Sequence, residues 1–182
     1  MTERGWSLCD PMTGETVRTT DTGVDQFSGW AVGQSGGSSV VAAVAEQIAL
    51  WQLPSGGPLP VRPQLSLGRP PSAIALSDPP DELLVGTGDG LIRACDLQTG
   101  HLRRLARHTG RVIAITPTGT PGARHIFTAS MDGLVYRTPI AGGRGLAIRL
   151  GYGLRALAAE TAASVAVVTV PPALALLDLP PP

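Results

Sequence analysis

His108, Ser130 and Asp132 place an imidazole, a hydroxyl and a carboxylate in one short stretch of chain. In general-base catalysis a carboxylate orients an imidazole, and the ring takes a proton from the hydroxyl. A second candidate is "GQSGG" at Gly33 to Gly37, which matches the Gly-x-Ser-x-Gly pattern of a nucleophile elbow with Ser35 as nucleophile. An elbow needs a strand before it and a helix after it. Ser38 to Trp51 is rich in Ala and Val with no interrupting glycine, so it can be read as that helix or as strand. A trypsin-like order is closed, because all three histidines follow residue 100, whereas a Ser, Asp, His order stays open through Asp78 or Asp89.

Other chemistry-bearing spacings carry less. "GTGDG" at Gly86 to Gly90 looks like a phosphate cradle, but Leu91 stands at the last glycine of a dinucleotide fingerprint and no Gly-Lys-Ser/Thr follows. Asp89-Gly90 therefore reads as a tight hairpin turn. His101, His108 and His125 lie 7 and 17 positions apart without an acidic or Cys cluster nearby. That is no metal pattern, and neither a metal nor a cofactor is expected. Arg103, Arg104, Arg107 and Arg111 form the densest like-charge cluster and are the candidate partner-binding edge.

The elements that must position these residues recur. The phrases "RGWSLCDPMTGET", "EQIALWQLPSGGP", "DGLIRACDLQTGH", "DGLVYRTPIAGGR" and "PPALALLDLPPP" share one pattern: an apolar strand, a small or aromatic residue near an acid, then a turn. Matching positions are Cys9, Trp51, Cys95, Thr138 and Leu177, spaced by 42, 44, 43 and 39. A fixed period in this range marks an array of supersecondary units, each burying its face on its neighbours. The apolar segments are short, β-branched and bounded by turn residues, which favours strands. Outer strands are expected near 14–20, 57–66, 101–107 and 143–150, and innermost strands near 28–32, 72–76, 111–115 and 153–158. "SSVVAAVA", "DELLVGTG", "HIFTAS" and "ASVAVVTV" supply the second strands and the repeated phrases the third. Prolines from Pro54 to Pro71 remove ladder donors, so that stretch is expected as an edge strand with long turns.

The period and its residues resemble the WD-repeat family, whose blades run Gly-His, strand, strand ending in Ser-x-Asp-Gly, strand closing on Trp-Asp. Residues 100–139 match best: Arg107-His108 stands at Gly-His, Ser130 and Asp132 at Ser-x-Asp, and Thr138-Pro139 at Trp-Asp. The preceding repeat keeps Thr87, Asp89, Gly90 and Asp96, with Cys95 for Trp and Gly68-Arg69 for Gly-His. The resemblance implies an all-β propeller of about four four-stranded blades, closed or an open arc completed by a partner, with repeats near 11–53, 54–97, 98–139 and 140–179 in one domain. It also implies that His108, Ser130, Asp132 and Asp89 belong to a buried structural network rather than a catalytic one. The function it implies is a non-catalytic scaffold for protein–protein interaction, the alternative being a small serine hydrolase using Ser35.

Composition fits one ordinary domain of 182 residues. Aromatic residues are 4% of the chain, so the core must be aliphatic. There is no lysine and no asparagine, and with the Ala, Gly and Pro enrichment this suggests a GC-rich bacterial genome. Residues 1–100 carry 5 Arg against 11 acids, net −6, while residues 101–155 carry 9 Arg against Asp132 alone, net +8. Such asymmetry favours an electrostatically steered contact with an acidic protein surface. Nucleic acid is disfavoured, because interleaved aromatics and a net basic domain are absent. "MTERGWSLCD" has no basic stretch followed by an apolar run, and the apolar stretch Ala162 to Leu177 is broken by Pro171-Pro172, so a cytoplasmic protein without a membrane span is expected. Cys9 and Cys95 both occupy the strand-end slot and are expected as small core residues. The chain begins at a third strand and ends at one, so a homodimer or heteromer that completes the ring is expected.

Overall fold

The computed structural model describes residues 5–21, 29–35, 38–44, 48–53, 58–59, 69, 71–77, 82–119, 124–151, 153–161, 163–170 and 173–180. Among these the regular elements are 17 β-strands in five antiparallel sheets. β1 (Gly5–Cys9) and β2 (Thr16–Asp21) form a hairpin. β3 (Gly29–Ser35), β4 (Ser38–Val44), β5 (Ile48–Gln52) and β6 (Pro58–Leu59) form the next sheet. β7 (Pro71–Ser77), β8 (Glu82–Thr87), β9 (Leu91–Asp96) and β10 (Leu102–Arg107) follow. Then come β11 (Val112–Thr118), β12 (His125–Ser130), β13 (Leu134–Pro139) and β14 (Leu146–Arg149). β15 (Gly153–Thr161), β16 (Ser164–Val170) and β17 (Leu174–Asp178) make a three-stranded sheet. Each sheet is a meander in chain order.

The class is all-β, and the strands fall where the period puts them. The helical reading of Ser38 to Trp51 is corrected: β4 and β5 occupy it. Helix and strand were confounded there because β4 is buried on both faces. Val40 and Ala42 pack toward β7–β10, and Val41 and Ala43 toward Trp6, so its sequence shows a continuous apolar run rather than alternation. In the proline-rich stretch only Pro58–Leu59 is a described strand, at the sheet edge; residues 54–57, 60–68 and 70 lie outside the described residues.

The acid of the repeated phrase closes a turn. Asp96 Oδ1 accepts from Gln98 N at 2.9 Å and Thr99 N at 2.7 Å, and His101 N donates to Thr99 Oγ1 at 3.2 Å. Asp10 does the same with Met12 N at 2.7 Å and Thr13 N at 3.2 Å, and Glu15 N donates to Thr13 Oγ1. Short Asx side chains mimic backbone in this way and hold tight turns. These bonds to Thr99 hold the Asp96 carboxyl below its ordinary pKa.

Sheets stack in a row, each touching its neighbours. Val40, Ala42, Leu50, Leu76, Leu83, Val85 and Cys95 fill the first gap. Ala75, Leu84, Ile92, Val112, Ile115 and Ile126 fill the second, and Phe127, Ala129, Val135, Leu154, Val165 and Val167 the third. Second strands β8 and β12 are buried at every position, with alternate residues entering opposite gaps. Close approach needs a residue without a side chain at Gly86, where a Cβ would meet Val112 Cγ1 at 2.5 Å.

Cys95 is buried as expected, but Cys9 is exposed, which corrects the expectation of a core residue. Cys95 enters the first gap between sheets, whereas no described sheet packs on the equivalent face of the hairpin. Burial, with Asp96 and Glu82 adding repulsion, pushes the Cys95 thiol up to about 11. At pH 8 a maleimide should therefore label one thiol per native chain, at Cys9, and two only in denaturant. Two fast labelling events in the native protein would show that the Cys95 gap is not closed.

Candidate functional site

The loop between β10 and β11 brings His108 onto the β12–β13 hairpin. Register pairs Thr128 with Tyr136 across that hairpin, and His108 meets both. Its Nε2 lies 2.9 Å from Thr128 Oγ1. Its ring stacks on Tyr136 with centroids 4.0 Å apart and planes at 10°. Nδ1 faces Asp132 Oδ1 at 3.6 Å, an electrostatic contact too long for a hydrogen bond. The carboxylate favours the tautomer protonated at Nδ1, which leaves Nε2 to accept from the Thr128 hydroxyl. His108 and Thr128 are 1% and 0% exposed, so the imidazole and the hydroxyl are shut off from solvent, while the Asp132 carboxylate is partly buried.

Asp132 is the tie of the loop. Its Oδ2 accepts from Thr109 N and Thr109 Oγ1, both at 2.9 Å, and from Gly110 N at 3.3 Å. Oδ1 accepts from Leu134 N at 3.0 Å. Its carboxyl sits below the ordinary pKa: partial burial pushes it up, and the bonds from Thr109 and Leu134 outweigh that. Burial lowers the His108 pKa against the pull of Asp132, which favours the neutral ring. Ser130 is buried, and its Oγ lies 3.4 Å from Asp132 N rather than on the ring.

One sheet earlier, Asp89 holds the station of Asp132; Pro71 pairs with Thr87 as Val112 pairs with Ser130, so Arg69 stands at the station of Gly110, and the counterpart of His108 lies outside the described residues. Thr87 Oγ1 donates to Asp89 Oδ1 at 2.5 Å, which holds that carboxyl below its ordinary value, with help from Arg107 and Arg69. Arg107 reaches Asp89 Oδ2 at 3.9 Å. Beside Asp89 lies an open cleft of about 270 Å³, lined by Arg69, Pro71, Ser72, Gly88, Asp89 and Arg111.

The four clustered arginines do not share a face. Arg103 is committed to structure: its guanidinium forks onto Glu82 at 2.8 and 2.9 Å and donates to Ile140 O at 2.6 Å. Neighbouring strand residues point to opposite faces, so Arg104 stands on the other side, exposed, opposite Arg93 in the ladder. Arg104, Arg107 and Arg111 remain exposed, and Arg111 enters the cleft. Ser35 ends β3 and pairs with Ser38 of the antiparallel β4, so a strand replaces the helix an elbow requires. His101, His108 and His125 sit on a turn, a loop and β12, and no group among the described residues could hold a metal.

Thr128, Thr109 and Tyr136 are members of the network that the linear motif does not mark. Thr128 could have been found from the strand period, since it lies two residues before Ser130 and so on the same face. Tyr136 needs the hairpin register, which pairs it with Thr128. Glu82 carries no motif at all.

No protein-family model and no curated protein matches this chain. Among the described residues no helix is long and apolar enough to cross a membrane. Solved structures do resemble it. The computationally designed Ika4 protein superposes with a TM-score of 0.63 at 17% identity, over 85% of this chain and 92% of Ika4. The computationally designed Ika8 protein superposes with a TM-score of 0.69 at 21% identity, over 98% of this chain but only 54% of Ika8. At these identities the likeness is one of fold, and the chain spans about half the length of Ika8.

Proposed function

We propose that this chain is a divergent bacterial WD-repeat-like β-propeller array, working in the cytoplasm as a non-catalytic scaffold that docks an acidic protein surface. The observation that carries the reading is the contrast between two neighbouring sheets. In one, the buried His108 and Thr128 and the partly buried Asp132 join a loop to a hairpin; in the sheet before it, Arg69, Asp89 and Arg111 line an open cleft. Exposed arginines suit carboxylates, which they bind through paired donors. Arg104 and Arg107 extend the positive edge along β10 toward that cleft.

The test is capture of the partner by pulldown and mass spectrometry, followed by association kinetics with the triple variant R104E/R107E/R111E. Charge reversal at a steering edge should slow association by on the order of 10- to 100-fold at low salt and flatten its salt dependence. Arg103 stays unchanged in this variant, because its loss would leave Glu82 buried and unpaired. Equal on-rates and equal salt slopes would defeat the proposed edge. Labelling of Ser35 by a fluorophosphonate would defeat the non-catalytic reading.

A further inference from the structure

The row of sheets uses one interface three times. Ile74 and Leu76 of β7 face β3 and β4, while Ala73 and Ala75 on the other face meet the next sheet. Val112 and Ile115 of β11 face β7 and β8, and Leu154 and Leu157 of β15 pack toward β11–β14. Two halves of this same interface are partly uncovered, Trp6 of β1 reaching only Val41, Ala43 and Trp51 of the first among the described residues. On β3, Ala31 packs toward β7, and Trp30, stacked on Trp51, and Val32 point the other way, 43% and 70% exposed. On β17, Leu177 packs inward, and Leu174 and Leu176 point the other way, 68% and 74% exposed. Leu174 and Leu176 stand where Ile92 and Ala94 stand in β9, the residues that β9 sends into its next gap.

We propose that a second copy of this chain covers both open halves, its sheet β15–β17 packing over β3–β5 of the first copy and the reverse, to close a head-to-tail ring. The inference rests on the propeller-array reading. Its arithmetic comes from the fold comparison, in which nearly all of this chain covers 54% of Ika8, so two copies span one such fold. With two copies the seams are related by a two-fold axis, β3–β5 of each meeting β15–β17 of the other, so the ring closes.

β1 and β17 occupy the same station in the repeat, and β1 is the strand that yields. It is held by its ladder to β2 and by Trp6 against Trp51, and the Trp6 indole Nε1 is buried without a hydrogen-bond partner among the described residues. β17 is fixed by its ladder to β16, by Leu177 and Leu179 in the core, and by Arg137 donating to Pro180 O at 2.6 Å. In the ring Leu174 and Leu176 take the places of Trp6 and Leu8.

Light scattering of the full chain at micromolar concentration should give twice the monomer mass of 18.7 kDa. V32D and L174D/L176D should each raise the dimer dissociation constant by roughly 30-fold or more, as truncations at an interface centre do. These side chains are exposed in the single chain, so circular dichroism should stay β; V32T and L176T serve where an aspartate variant fails to fold. Mixing V32D with L174D/L176D leaves one seam with two native faces, so the mixture should recover a heterodimer that neither variant forms alone. A well-folded wild-type monomer overturns the ring while leaving the array and the arginine edge standing. L174D/L176D dimerising like wild type overturns the seating of β17, and a mixture that stays monomeric overturns the head-to-tail geometry.

Discussion

G90A should lower stability by about 3 to 4 kcal/mol and the melting temperature by about 10 °C. Gly90 ends the β8–β9 turn with φ of +84°, a backbone region that costs an L side chain roughly 1 to 2 kcal/mol. An added Cβ would also overlap the His108 carbonyl and approach Gly110 O to 2.8 Å. Neither oxygen can retreat easily. His108 N is bonded to Gly90 O at 2.9 Å, its ring is pinned by Thr128 and Tyr136, and Gly110 N is held by Asp132. Gly88, in the same turn, has nothing within 4 Å and an ordinary φ, so G88A should change stability by less than about 0.5 kcal/mol. Urea melts of the two variants check this pair, and equal midpoints would remove Gly90 from the joint between sheets.

D132A should cost about 2 to 3 kcal/mol at neutral pH, because three backbone amides lose their acceptor and the His108 ring its electrostatic partner together. The same network makes stability depend on pH in two steps. The folded pKa of His108 lies below 6.5, so the unfolded chain binds a proton that the folded chain refuses. Stability therefore falls as pH drops below about 6.5, by up to about 1.4 kcal/mol per pH unit until the folded pKa is reached. Asp132 has the depressed pKa of a stabilised carboxylate. Its contribution is fully present above the unfolded value of about 3.9 and is lost as pH falls through the folded one. Denaturant midpoints from pH 7.5 to 4.5 should show the upper step in the wild type and lose it in H108Q. A wild-type midpoint that is flat between pH 7 and 5 would mean that His108 is not held neutral.

Much of the fold was legible because its strands are short and its turns are marked by chemistry. Asp10 and Asp96 announce the turns they close, and the period then fixes the remaining strands. Burial on both faces hid β4, since a strand between two sheets loses the alternation that identifies it. Asp132 and His108 could be paired from their spacing in a resembling repeat, whereas Thr128 and Tyr136 required hairpin register. The arginine cluster was only half legible. Adjacency of Arg103 and Arg104 in sequence means opposite faces in a strand, and the partner of Arg103, Glu82, lies 21 residues away on another strand.

The row of meanders also bears on how the chain is made. Every sheet draws its strands from one continuous stretch, and each sheet leans on the one before it. Ladders of this kind close short loops, so their entropic barrier is small compared with that of sheets assembled from distant strands. The order of packing is therefore the order of translation: as each meander leaves the ribosome, the apolar flank it must cover is already in place. Growth of the array should proceed by addition at its newest edge, with nascent chains gaining protease resistance in increments of about 40 residues rather than in one late event.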